Sequence, residues 1–249
     1  MNGTLPGAWD WGPEALFGCL LFIAGYAALV RGRWSREAAW FGLALVLVVV
    51  ALASPLATLA HHLLSAHMLQ HFLLVMLMPP LLLAGIPERA ALRRRLPVFK
   101  RPAACWLCGM GAMALWQIPA LFNSSLHHRP LHFAGQIAFS VTAVVFWWPI
   151  FDPVRRARLH PIASVVYLAT ACLCCTAIGV AITFAPSLLY PAYERAADLG
   201  ISPRLDQEIG GLLMWVPGCL VYLSAMLIRL GGWFAERDGA PEPVSIAAT

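Results

Sequence analysis

No lysine, arginine, aspartate or glutamate occurs between Glu37 and Glu88. A soluble domain is about a quarter charged, so its exposed turns rarely run this long without a charge. A stretch like this has to meet hydrocarbon. The composition agrees: 60% of the 249 residues are hydrophobic and 12% charged, with a mean hydropathy of +0.73. A lipid-exposed backbone must satisfy its own hydrogen bonds, and apolar runs of roughly 20 residues do so as helices. The expected fold class is an all-α polytopic membrane protein.

Seven runs fit a span, at 14–31, 38–54, 63–85, 103–122, 132–151, 162–184 and 208–230. The first is read as retained, because no basic residue precedes Arg31 as a secretory leader requires. Residues 1–232 form one seven-helix domain on this reading, and 233–249 a short cytoplasmic tail without order. Seven spans place fourteen of the seventeen basic residues on one side. These follow the first, third, fifth and seventh spans; only Arg129, Arg195 and Arg204 fall opposite. Basic loops stay cytoplasmic, so the N-terminus is expected outside and the C-terminus inside.

The net charge of +5 sits almost wholly in these loops. No basic stripe with interleaved aromatics marks a nucleic-acid surface. The seven cysteines are an odd number, and most lie in apolar runs. They read as small hydrophobes rather than a disulfide framework. Cys105-x-x-Cys108 stands alone, a weak signal on the cytoplasmic side. Trp40, Trp116, Trp147, Trp148 and Trp215 fall near span ends, where amphipathic rings anchor. No Ser/His/Asp triad, phosphate-cradling glycine loop or pair of intramembrane carboxylates appears, so no enzymatic activity is expected.

Seven of the eight histidines lie toward the outer side. His67 and His71 are four apart and share a helix face. At 1.5 Å per residue they stand about 6 and 12 Å along the third span. His128, His132, Gln136 and Ser140 make one polar stripe on the fifth span. Gln207, Gly210, Gly211, Met214 and Gly218 make a face of the seventh, with Asp206 at its mouth. Polar groups inside a membrane need partners. Two readings stay open. One is a metal or haem site in the outer leaflet, since imidazole and thioether suit Cu(I) and imidazoles from two spans suit haem iron. The other is interhelical hydrogen bonding, with Met68 and Met214 as packing and Asp206 and Gln207 capping the seventh helix.

Several motifs resemble one family. They are Ser54-Pro55-Leu56; Ser65-Ala66-His67-Met68-Leu69-Gln70-His71; Pro79-Pro80-Leu81-Leu82-Leu83 with Gly85; and Trp116 with Pro119-Ala120-Leu121. His132 with Phe146-Trp147-Trp148-Pro149-Ile150 follows, then Asp206-Gln207 with Gly211-Leu212-Leu213-Met214-Trp215-Val216-Pro217-Gly218. Their order and spacing resemble the membrane-integral cytochrome c oxidase assembly factors of the CtaG, caa(3) type. The resemblance implies a multi-pass protein of the bacterial inner membrane. It would serve assembly of a haem-copper oxidase as a copper metallochaperone. The implied partners are an oxidase subunit or a copper chaperone, besides the lipid bilayer. It carries over His67, Met68, His71, His132, Asp206, Gln207 and Met214 as metal candidates, with copper as Cu(I) the expected ion and haem the alternative. The chain departs from the family pattern at Gln117, where many relatives carry histidine, and at Gly135-Gln136, where many carry Glu-His. Fewer and weaker ligands suit transient holding. The residues do not fix an oligomeric state.

Overall fold

The computed structural model describes residues 9, 11–30, 37–88 and 101–238. Among them the chain is helical and contains no strand. The helices are α1 (Pro13–Val30), α2 (Ala38–Ala53), α3 (Pro55–Leu59), α4 (Leu64–His71), α5 (Met78–Ala84), α6 (Pro102–Trp116), α7 (Pro119–His127), α8 (Arg129–Phe151), α9 (Pro161–Thr183) and α10 (Pro203–Asp238). A π-helical turn over Phe72–Leu77 joins α4 to α5, and a 3-10 helix over Pro191–Leu199 lies between α9 and α10.

Four stretches are long and apolar enough to cross a membrane: Leu64–Ala84, Pro130–Phe151, Pro161–Thr183 and Pro203–Arg237. The pair α6–α7 makes a fifth if its two halves, bent by 72°, count as one. Two more apolar helices, Leu16–Ala28 and Ala38–Ala53, are shorter. The basic loop residues at 31–36 and 89–100, on which much of the charge asymmetry rests, lie outside the described residues. So does the tail from 239. The last helix itself runs on to Asp238, past the end expected at 230.

The fourth span expected over 103–122 is not one continuous helix but two, α6 and α7. Pro119 disfavours helical backbone at the residue before it, and Ile118 sits at φ −63°, ψ 120°. The helix therefore breaks after Trp116, and α7 turns aside with Phe122 and Ser125.

Prolines shape the rest of the bundle by removing donors. Pro55 leaves the Ala51 carbonyl without its helical partner, and Gln70 Nε2 donates to that carbonyl at 2.7 Å. Pro79 likewise frees the Val75 carbonyl, where the chain widens into the π turn. Trp147 Nε1 donates there at 3.0 Å. Trp147 is therefore core, 1% exposed, and not the interfacial anchor its position suggested. Trp116 and Trp215 also pack inward, against Gly135 and Gly179 respectively, while Trp40 is exposed. Trp147→Phe keeps an aromatic ring, though a smaller one, and orphans the Val75 carbonyl. A buried group left unsatisfied costs about 1–3 kcal/mol, so a lower melting temperature in detergent is expected; an unchanged one would remove the π turn's dependence on this bond.

Candidate functional site

α4 begins without a capping side chain of its own. A helix N-terminus exposes unpaired N–H groups and a partial positive charge. Asp206, from α10, supplies what is missing. Its Oδ2 accepts from Leu64 N at 2.6 Å and its Oδ1 from Ser65 N at 3.1 Å, with the Ser65 hydroxyl donating to Oδ1 as well. Asp206 is 1% exposed. Capping its own helix is one of the two readings the sequence leaves open for it; its hydrogen bonds cap α4 instead, across 142 residues of sequence.

Gln207 is also structural in its contacts. Its Oε1 accepts from Leu189 N at 2.7 Å, and its Nε2 donates to the Ile182 and Ser187 carbonyls. It ties the end of α9 and the loop beyond to α10. Neither residue is among those lining the histidine cavity described next.

Held at this height by Asp206, α4 presents His67 and His71 inward. Their ring centroids are 4.4 Å apart, edge to face. His132, from α8, places its ring 5.6 Å from His67. His67 is 2% exposed; His71 and His132 are half-buried. All three line one cavity of about 20 Å³, together with Gln117, Ser125 and Gln136. That volume suits one water or one ion. Among the described residues, no group of three or more His, Cys, Asp or Glu side chains is arranged to hold a metal ion. The three imidazoles meet as touching rings.

Aromatic rings that no sequence motif announces cover the cluster. Phe122 lies 5.2 Å and Tyr193 6.1 Å from the His67 ring. Tyr193 donates to the Ala60 carbonyl, and Tyr190 donates to the Gln117 carbonyl at 2.9 Å. Burial pushes both phenols up, and the Asp206 charge adds to this at Tyr193. Both remain neutral donors. The only sequence signal was the pair Tyr190 and Tyr193 in a loop, with no period to place it.

The remaining histidines separate by exposure. His61, His62 and His128 are exposed. Met68 and Met214 line a neighbouring cavity rather than this one. Gln117 joins the two: its Nε2 lies 3.7 Å from the Met68 sulfur. Cys105 is buried while Cys108 is exposed, so the two thiols face different surroundings.

One curated protein with significant similarity is an uncharacterized protein of Mycobacterium leprae, 24% identical over 265 residues. The match takes in 92% of this chain and spans 40% of that relative's length. No solved structure matches significantly. The model of the cytochrome c oxidase caa3 assembly factor family matches residues 20–236, and the chain therefore belongs to that family.

Proposed function

We propose that the protein assists assembly of a haem-copper oxidase by holding Cu(I) briefly between His67, His71 and His132 and releasing it to an oxidase subunit. The observation that carries this reading is the convergence of three imidazoles from two spans on one cavity the size of an ion. Copper is cargo here, not a resident cofactor. Neutral imidazole suits Cu(I), and few ligands favour release. Gln117 and Gln136, the departures from the family pattern, line this same cavity, which fits a weakened ligand set. A cavity of about 20 Å³ favours a single ion over haem.

The proposed setting is the bacterial inner membrane, crossed seven times. The histidine end would face outward and the arginine-rich loops inward. The charge alternation supports this, as does the grouping of the α4, α8 and α10 N-termini at one end. A reporter fused after Arg95 is expected to read cytoplasmic.

The test is His67→Ala/His71→Ala in the full-length protein, purified and loaded anaerobically with Cu(I). Copper affinity is expected to fall by on the order of tenfold or more, with a parallel loss of oxidase activity in cells. Unchanged copper binding and unchanged oxidase would show that these imidazoles are not the ligands; wild-type protein that takes up no copper at all would leave a metal-free scaffold, with the imidazoles serving only to pack the spans.

A further inference from the structure

Next to the imidazole cavity lies another of about 30 Å³, lined by four methionines and a cysteine alongside Phe72, Val75 and Phe139. Met68, Met76, Met113, Met214 and Cys175 surround it, with His71 on the wall it shares with the first cavity. The four methionines are half of the eight in the chain. They arrive from three separate elements: Met68 and Met76 from Leu64–Ala84, Met113 from α6, and Met214 from α10.

The backbone works to bring them together. Residues eight apart on an uninterrupted α-helix are offset by about 80°. Met76 lies in the π turn, whose wider pitch carries it back over Met68. Gly218 leaves its side open: the Met76 methyl and the Cys175 sulfur are the atoms nearest to where a Cβ would stand. The Cys175 thiol is held toward the Met214 carbonyl at 3.5 Å. Gln117 Nε2 lies 3.7 Å from the Met68 sulfur, so this thioether faces the junction of the two cavities.

Core packing alone does not account for the choice. Leucine fills a membrane bundle with less side-chain entropy lost than methionine. Methionine's ordinary use is to flow into irregular gaps, yet four of them here leave a gap open. Thioethers are neutral, soft donors, and soft monovalent ions are what they select. A divalent ion would bring more uncompensated charge into this setting.

We propose that this cavity is a second, separate site for a soft monovalent cation, Cu(I) or its surrogate Ag(I), held by the thioethers of Met68, Met76, Met113 and Met214. Its existence does not depend on the imidazole site being a ligand set. The shared wall at His71 and Gln117 makes the two sites adjacent stations for one ion.

The experiment is Ag(I) titration of the detergent-purified full-length protein, with bound-metal analysis and X-ray absorption at the metal edge. The variants are Met76→Leu/Met113→Leu, a volume-conserving pair, and His67→Ala. Wild type is expected to show sulfur neighbours around the ion. The methionine variant should lose one equivalent of Ag(I) and the sulfur signal while melting near wild type, and His67→Ala should retain both. Nitrogen neighbours alone in wild type would overturn this site and leave the imidazole site standing; sulfur neighbours alone would do the reverse. Unchanged stoichiometry in the methionine variant would also overturn it. Accessible thiols among the seven free cysteines are alkylated before the titration, so that the sulfur neighbours read are not theirs, and Met68→Leu, read the same way, decides the matter if the double variant fails to fold.

Discussion

Gly211→Ala is expected to destabilise the protein by about 3 kcal/mol, the upper part of the range for overpacking a tight contact. A Cβ at Gly211 would meet the Thr183 backbone nitrogen at 2.7 Å and the Gly179 carbonyl oxygen at 3.0 Å, with the Thr183 hydroxyl nearer still. Two of these are backbone atoms of α9 and cannot swing away. Gly179 faces the same interface from the other side, against Trp215. Small residues let helices approach closely in lipid, where hydrophobicity itself does not drive them together. α9 and α10 are built around this approach. The expected fall in melting temperature is roughly 6–12 °C for a chain of this size. Gly111 provides the control, with nothing near the space its Cβ would occupy. Gly111→Ala should be neutral or stabilising, because alanine favours helix by about 1 kcal/mol over glycine. Equal melting of the two variants would refute the close approach.

Asp206→Ala should be comparably damaging, for an electrostatic reason. It strands two backbone N–H groups and the Ser65 hydroxyl at the buried start of α4. Each orphaned donor costs about 1–3 kcal/mol, so a loss of at least 3 kcal/mol is expected. Asp206→Asn keeps one acceptor oxygen and should lose less. The pair also separates two roles for this carboxylate. As a positioning residue, Asp206 sets the height of His67 and His71 without touching an ion. Asp206→Asn should then keep the full complement of bound Cu(I) and an unchanged X-ray absorption spectrum, while Asp206→Ala loses affinity as α4 frays. Loss of an oxygen neighbour in Asp206→Asn would make Asp206 a ligand after all.

Particular residues show how far the sequence could be read. His67 and His71 were legible as a pair because helical period places residues four apart on one face. The small-residue face of α10 was legible the same way, and the structure packs Gly210 against Leu64 and Gly211 against Thr183. The break at Ile118 was available from Pro119 but was outweighed by the apolar run around it. Trp147 misled because its place near a span end matches an interfacial ring. Its partner, the Val75 carbonyl, lies 72 residues away.

The sequence by itself determined that the chain is helical and apolar enough for membrane, and which side chains share a helix face. These follow from composition and from periodicity within single helices. Only the tertiary structure decided that Asp206 caps α4, that Gln207 braces a loop, and that four methionines surround one cavity beside three histidines. Such relations depend on the rotation and depth of one helix against another. Proline-freed carbonyls, glycine contacts and the buried Asp206 carboxylate set those here, and no period along the chain records them.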